Sequence, residues 1–127
     1  MNSELDGKIV LVTGGAGGIG SVISESFAEQ GAKVIVHYKH SKEKAELIAK
    51  KIKGAPMYAD LTDSKQAKEL FDNIIDMEGK IDICIANAGK YPKDYAPLWE
   101  IEIERWDDTI STNLSLAYNT SRYFLKH

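Results

Sequence analysis

The stretch Ile9-Val10-Leu11-Val12-Thr13-Gly14-Gly15-Ala16-Gly17-Gly18-Ile19-Gly20 decides the fold. Four apolar, mostly β-branched residues read as a buried strand, starting at Lys8. The glycines then make a tight turn. Ile19, Val22, Ile23, Ser26 and Phe27 follow at helical spacing, so the spacing predicts a helix over Ile19–Gln30, ended by Gly31. A strand, a glycine turn and a helix bring backbone N–H groups and a helix N-terminus to one point, where a pyrophosphate can sit. Glycine suits that turn because a Cβ would block the bend and the ligand's close approach.

Outward from the turn, the same alternation continues. Lys33–Tyr38 reads as a second strand. Lys42–Lys53 reads as a helix with Ala45, Ile48, Ala49 and Ile52 on one face, Ser41 as N-cap and Gly54 as its end. Ala55–Ala59 is a third strand. Ser64–Met77 is a helix with Ala67, Leu70, Phe71, Ile74 and Ile75 on one face, capped by Thr62 or Asp63 and followed by Gly79. Ile81–Ala86 is a fourth strand, Asn87-Ala88-Gly89 a turn, and Lys90–Pro97 a loop. Glu104–Lys126 is a long helix, with Trp106, Ile110, Asn113, Leu114, Ala117, Tyr118 and Ser121 near one face.

Uninterrupted strand–helix alternation with short loops implies right-handed βαβ units. The expected fold is α/β: a Rossmann-like, doubly wound parallel sheet of about four strands in the order 3-2-1-4, with helices on both faces. Residues 1–127 read as a single dinucleotide-binding domain, incomplete on its C-terminal side, since a complete sheet of this kind has about six strands.

The chain has 127 residues, 43% of them hydrophobic, and a net charge of −3. Nothing in that balance suggests nucleic acid or an anionic membrane. The single cysteine, Cys84, reads as a buried thiol and fits a reducing cytoplasm. The N-terminal Met1-Asn2-Ser3-Glu4-Leu5-Asp6 has no basic-then-apolar pattern of a signal peptide. No apolar run approaches the ~20 residues that span a bilayer. A cytoplasmic location is expected. His37, His40 and His127 show no metal-ligand spacing.

Three motifs in order resemble the short-chain dehydrogenase/reductase family. Thr13-Gly14-x-x-x-Gly18-Ile19-Gly20 is similar to its glycine turn. Asp60-Leu61-Thr62-Asp63, after strand three, is similar to its Asp-Val/Leu-Thr step. Ala86-Asn87-Ala88-Gly89 is similar to its Asn-Asn-Ala-Gly motif. Pro97-Leu98, Trp106-Asp107 and Asn113-Leu114 also match, and the likeness covers residues 7 to 126.

The resemblance implies an oxidoreductase that transfers hydride between a nicotinamide and a carbonyl or alcohol. It implies cofactor contacts at Thr13, Gly14, Gly18, Ile19 and Gly20 around the pyrophosphate. Asp60 and Leu61 would meet the adenine, and Asn87, Ala88 and Gly89 the nicotinamide ribose. Asp60 equally suits helix capping or loop solvation. Asn87 equally suits tying strand four to the first turn through Thr13. At the end of strand two, Tyr38 stands where NAD-using relatives carry an acidic residue, and Lys39, His40 and Ser41 supply basic and hydroxyl groups. That pattern favours NADP(H) over NAD(H). Gly17 stands where many NADP-preferring members carry Arg or Lys. The lysines from Lys39 to Lys53 are also readable as plain surface charge.

The family's acid/base chemistry uses a Tyr-x-x-x-Lys pair and a Ser on later elements. Here Asn113 matches the family's Asn that supports a proton-relaying water. Tyr38-x-x-x-Lys42 is a formal match at the adenosine end, read as chance. Tyr91, Tyr95 and Trp99 sit in the loop that could border the substrate, and local packing is the expected role. The resulting expectation is the cofactor-binding half of a reductase, inactive alone, with no metal. The alternatives are a non-catalytic dinucleotide-binding or sensing module, or a half-site completed by another chain. A homo-oligomer through strand four or the last helix is expected, because an apolar sheet edge invites pairing.

Overall fold

A computed structural model describes residues 4–127. The Met1–Ser3 part of the N-terminal reading lies outside the described residues. Four strands, β1 (Ile9–Val12), β2 (Lys33–Tyr38), β3 (Ala55–Tyr58) and β4 (Ile83–Ile85), form one parallel sheet in the order β3-β2-β1-β4. This is the expected topology. The helices are α1 (Gly18–Glu29), α2 (Lys42–Ile52), α3 (Ser64–Glu78) and α4 (Ile103–Leu125), with one 3₁₀ turn at Leu98–Glu100.

Strand parity divides the core in two, because successive side chains leave a strand on opposite faces. Ile9, Leu11 and Ile35 pack with Leu70, Phe71 and Ile74 of α3 and Tyr123 of α4. Val10, Val12, Val34 and Val36 pack with Ala45 and Ala49 of α2 and with Ile23 and Phe27 of α1. Both faces are thus covered, which is why these strands read as continuous apolar runs. The register sets Val12 level with Val36 on one side and Ile85 on the other. All four strands therefore deliver their C-terminal ends to one edge.

Three local readings change. The left-handed residue ending α2 is Lys53, with φ of 56°, while Gly54 has an ordinary φ. Gly54 is needed for another reason: a Cβ there would lie 2.3 Å from the Val34 carbonyl oxygen. Ser41 occupies the N-cap of α2 but makes no side-chain cap bond, whereas Asp63 caps α3 by accepting from Lys65 N–H at 2.9 Å. Finally, β4 is shorter than Ile81–Ala86, being paired only over Ile83–Ile85.

The structure supplies what the spacing of α4 left open, the direction of its apolar stripe. Trp106, Ile110, Leu114 and Tyr118 lie on its exposed side, and α4 buries Asn119, Thr120 and Tyr123 instead. Periodicity finds an apolar stripe but not the surface it faces. Asn119 tolerates burial because its amide donates to the Leu61 carbonyl at 2.9 Å. Tyr123 does so through a 2.7 Å hydrogen bond with the Ser64 hydroxyl. Tyr91, Tyr95 and Trp99 are also exposed, so they do not act as local packing. No helix among the described residues is long and apolar enough to cross a membrane.

Candidate functional site

An open cleft of about 610 Å³ lies along the C-terminal edge of the sheet. Its walls include Gly14, Ala16 and Gly17 from the turn after β1, His37 to Ser41 from β2, Ala59 to Thr62 from β3, and Asn87 to Lys90 from β4. Doubly wound sheets place ligands at this edge.

Thr13 is the hub of the turn. It is 1% exposed. Its Oγ1 accepts from the backbone N–H of Asn87 at 3.0 Å and of Ala88 at 2.9 Å, and donates to the Ile85 carbonyl at 3.3 Å. The Asn87 amide returns the link by donating to the carbonyls of Thr13 and Gly14 at 3.1 and 3.2 Å. Asn87 therefore does tie β4 to the glycine turn, the structural role open to it.

The glycines divide by function. Gly14 has φ of +62°, where a side chain is strained. Gly20 packs against Gly14 so closely that a Cβ would lie 2.0 Å from its carbonyl oxygen. Gly18 differs, since a Cβ there would meet nothing within 4 Å. The fold does not require glycine at that position; open space is left beside the start of α1. No side chain caps this helix start. The first-turn N–H groups of Gly18, Ile19 and Gly20 have no intrahelical partner by helix geometry. An uncapped helix start beside open space suits a phosphate. The Ile19 side chain is exposed, so only its backbone is placed for such a contact.

Asp60 is held by its own loop. Its Oδ1 accepts from Thr62 N–H at 3.0 Å and from Thr62 Oγ1 at 2.6 Å, and its Oδ2 pairs with Lys39 Nζ at 3.3 Å. The Thr62 hydroxyl first, then the Thr62 backbone N–H and the Lys39 ammonium, hold its carboxyl below the usual range against a smaller opposing effect of burial. Gln66 adds an acceptor for the Asp60 N–H at 2.9 Å. Leu61 is buried, and Asn119 fixes its carbonyl.

Asn113 lies on the other side of Gly89. Its Oδ1 accepts from Lys90 N–H, and its Nδ2 donates to the carbonyls of Lys90 and Thr109, at 2.9, 2.9 and 2.8 Å respectively. A Cβ on Gly89 would approach Asn113 Oδ1 to 3.1 Å. Lys90 also pairs with Asp108. Tyr38, of the formal Tyr-x-x-x-Lys match, packs edge-to-face on Tyr58 with ring centroids 5.9 Å apart. Burial pushes the Cys84 thiol up to about 12, so it stays protonated and inert.

Two contributors escaped the sequence reading. Ser24 is fully buried in α1 and donates to the Gly15 carbonyl at 3.0 Å. His37, which shows no metal-ligand spacing, accepts the Gly14 N–H on Nδ1 at 2.9 Å. A polar residue inside the otherwise apolar run of β2 was the available signal.

The model of the short chain dehydrogenase family matches residues 8–127. The chain belongs to the short-chain dehydrogenase family. A short-chain dehydrogenase/reductase of Pestalotiopsis microspora is 36% identical over 98% of this chain and 48% of its own length. A 3-oxoacyl-acyl-carrier-protein reductase of Thermotoga maritima is 36% identical over 94% of this chain and 49% of its own. The crystal structure of a short chain dehydrogenase from Burkholderia cenocepacia in complex with NADP superposes with a TM-score of 0.87 at 28% identity. That match covers 98% of this chain and 52% of the other. The chain thus spans about half the length of the relatives it matches. Family members bind a nicotinamide dinucleotide, and the uncapped α1 start with open space at Gly18 fits such a group.

Proposed function

We propose that residues 1–127 form a dinucleotide-binding unit that holds NADP(H) in preference to NAD(H), within an oxidoreductase acting on a carbonyl or alcohol. The observation that carries this reading is the cleft itself: an uncapped helix start at one end and Lys39, His40 and Ser41 at the other. Bound there, the nicotinamide would supply hydride chemistry; this chain's residues bind and orient. Thr13 and Gly14 shape the turn, and Gly18, Ile19 and Gly20 present N–H groups to the pyrophosphate. Asp60 and Leu61 border the adenine. Asn87, Ala88 and Gly89 border the nicotinamide ribose, and Asn113 fixes the adjoining Lys90 backbone.

Lys39 is the specificity residue in this reading. Its present partner is Asp60, but a half-exposed ion pair contributes only ~0–1 kcal/mol. A charge-assisted bond to a 2′-phosphate is worth about 1.5–3 kcal/mol. The phosphate should therefore draw Lys39 away. Titration followed by fluorescence should give NADP⁺ binding about tenfold tighter than NAD⁺, with Lys39→Ala narrowing the ratio toward one. Equal affinities in the parent protein, or no saturable binding of either, would refute the reading.

The proposal extends to a homo-oligomer. The β4 edge and the exposed Trp106, Ile110, Leu114 and Tyr118 stripe of α4 are apolar surface of the kind that marks association sites. Light scattering should show mass rising with concentration; a monomer throughout would remove this part.

A further inference from the structure

His37 is a buried residue of the cleft edge to which the binding roles above give no part. It is 3% exposed. Gly14 N–H donates to its Nδ1 at 2.9 Å, and its Nε2 lies 2.8 Å from the Ala59 carbonyl oxygen. A carbonyl only accepts, so Nε2 carries the proton and Nδ1 is bare. The neutral ring in that one tautomer satisfies both neighbours. Gly15 N–H also donates to the His37 carbonyl at 3.0 Å. One residue of β2 thus grips both leading glycines of the turn and, through Ala59, the loop that carries Asp60.

We propose that neutral His37 is the positioning residue that holds the Gly14–Gly15 turn in its dinucleotide-binding shape, and that protonating its Nδ1 releases the turn and weakens binding. An imidazolium would aim a second N–H at the Gly14 N–H, leaving two donors face to face with no acceptor. Burial lowers the pKa of His37, opposed by the Ala59 hydrogen bond and the Asp60 charge. The ionisable groups around the ring are few. Tyr38, Lys39 and His40 follow it on its own strand and Asp60 comes from the turn after β3. Lys90 and Asp108 line the same cleft but pair with each other, and the residues of the turn from Thr13 to Gly20 carry no titratable side chain. Asp60 is occupied by Thr62 and Lys39.

The sign follows. With the pKa lowered below its usual ~6.5, His37 is neutral at pH 7 and the turn is intact. Acidification through the lowered pKa charges the ring in the free protein. If only the neutral form binds, the NADP⁺ dissociation constant rises about tenfold for each pH unit below that pKa.

The inference rests on the proposed cofactor reading, so its test has one arm without cofactor. In the cofactor-free protein, nitrogen NMR should find the His37 proton on Nε2 near neutral pH. The Gly14 amide resonance should shift on acidification with the same midpoint as His37. A Gly14 amide indifferent to that titration overturns the proposal, whether or not a cofactor binds. In the second arm, NADP⁺ titrations from neutral pH down through the His37 midpoint found by NMR compare the parent protein with His37→Asn and His37→Leu. Asn offers an acceptor at the Nδ1 position that never charges, so its affinity should lack the parent's loss. His37→Leu should bind weakly at every pH. Protonation of the ligand's own phosphate affects all three alike, and the ratio to His37→Asn removes it. Parallel pH profiles for the parent and the Asn variant, or tighter parent binding in acid from imidazolium–phosphate attraction, also overturn it. Absent binding in the parent at all pH values defeats the cofactor reading alone, and the NMR arm still decides.

Discussion

Gly20→Ala is expected to unfold more readily than the parent protein, by about 2 kcal/mol net. The new methyl carbon would sit 2.0 Å from the Gly14 carbonyl oxygen, 2.9 Å from its carbon and 2.8 Å from Asn87 Nδ2. None of these atoms is the loose end of a side chain. Gly14 is held in a left-handed conformation by His37, and Asn87 is held by two carbonyls. Overpacking against fixed atoms costs about 3 kcal/mol. Alanine returns about 1 kcal/mol of helix propensity, so the clash wins. The midpoint of thermal unfolding should fall by roughly 8 °C. Gly18→Ala, with open space around its Cβ, is the control and should unfold within about 0.5 kcal/mol of the parent. Equal stability of the two variants would show that the turn can rearrange around Gly20.

Thr13→Val is expected to cost about 2–6 kcal/mol although it preserves shape. The Thr13 hydroxyl is the acceptor for two backbone donors, the N–H groups of Asn87 and Ala88. At 1% exposure no water replaces it. Each donor left unpaired costs about 1–3 kcal/mol, which sets the range. Thr13→Ser keeps the oxygen and loses one methyl, worth about 1 kcal/mol. In urea unfolding, the midpoint of the Val variant should fall well below that of the Ser variant. A Val variant as stable as Ser would mean that the β4 turn takes its hydrogen bonds elsewhere.

Sheet order and the burial of both sheet faces were legible because Ile9–Val12 and Lys33–Tyr38 alternate with helical segments, and parallel strands buried on both faces read as apolar runs. The positions of Asp60, Asn87 and Gly89 along the cleft, and of Thr13 at the end of β1 beside Asn87, follow from that topology. What a side chain does there was less legible. Asp60 and Asn87 each allowed a local and a ligand role, and both are engaged locally by bonds that spacing does not reveal. The outward stripe of α4 was assigned without its direction, since periodicity carries no information about neighbours. His37 was hidden for a different reason: its partners are 23 residues before and 22 after it, joined only by the folded register.

That register has a consequence for assembly. Ile35 and His37 point to one face of the sheet, Val36 and Tyr38 to the other. A strand that slipped by a single residue would turn every side chain over. The Gly14 N–H would then meet a valine or a tyrosine, with no nitrogen to accept it. The histidine therefore serves as a key cut for one alignment of β1, β2 and β3. A mispaired sheet would lack the bond, and any ligand selecting the formed turn would deepen the correctly threaded state alone.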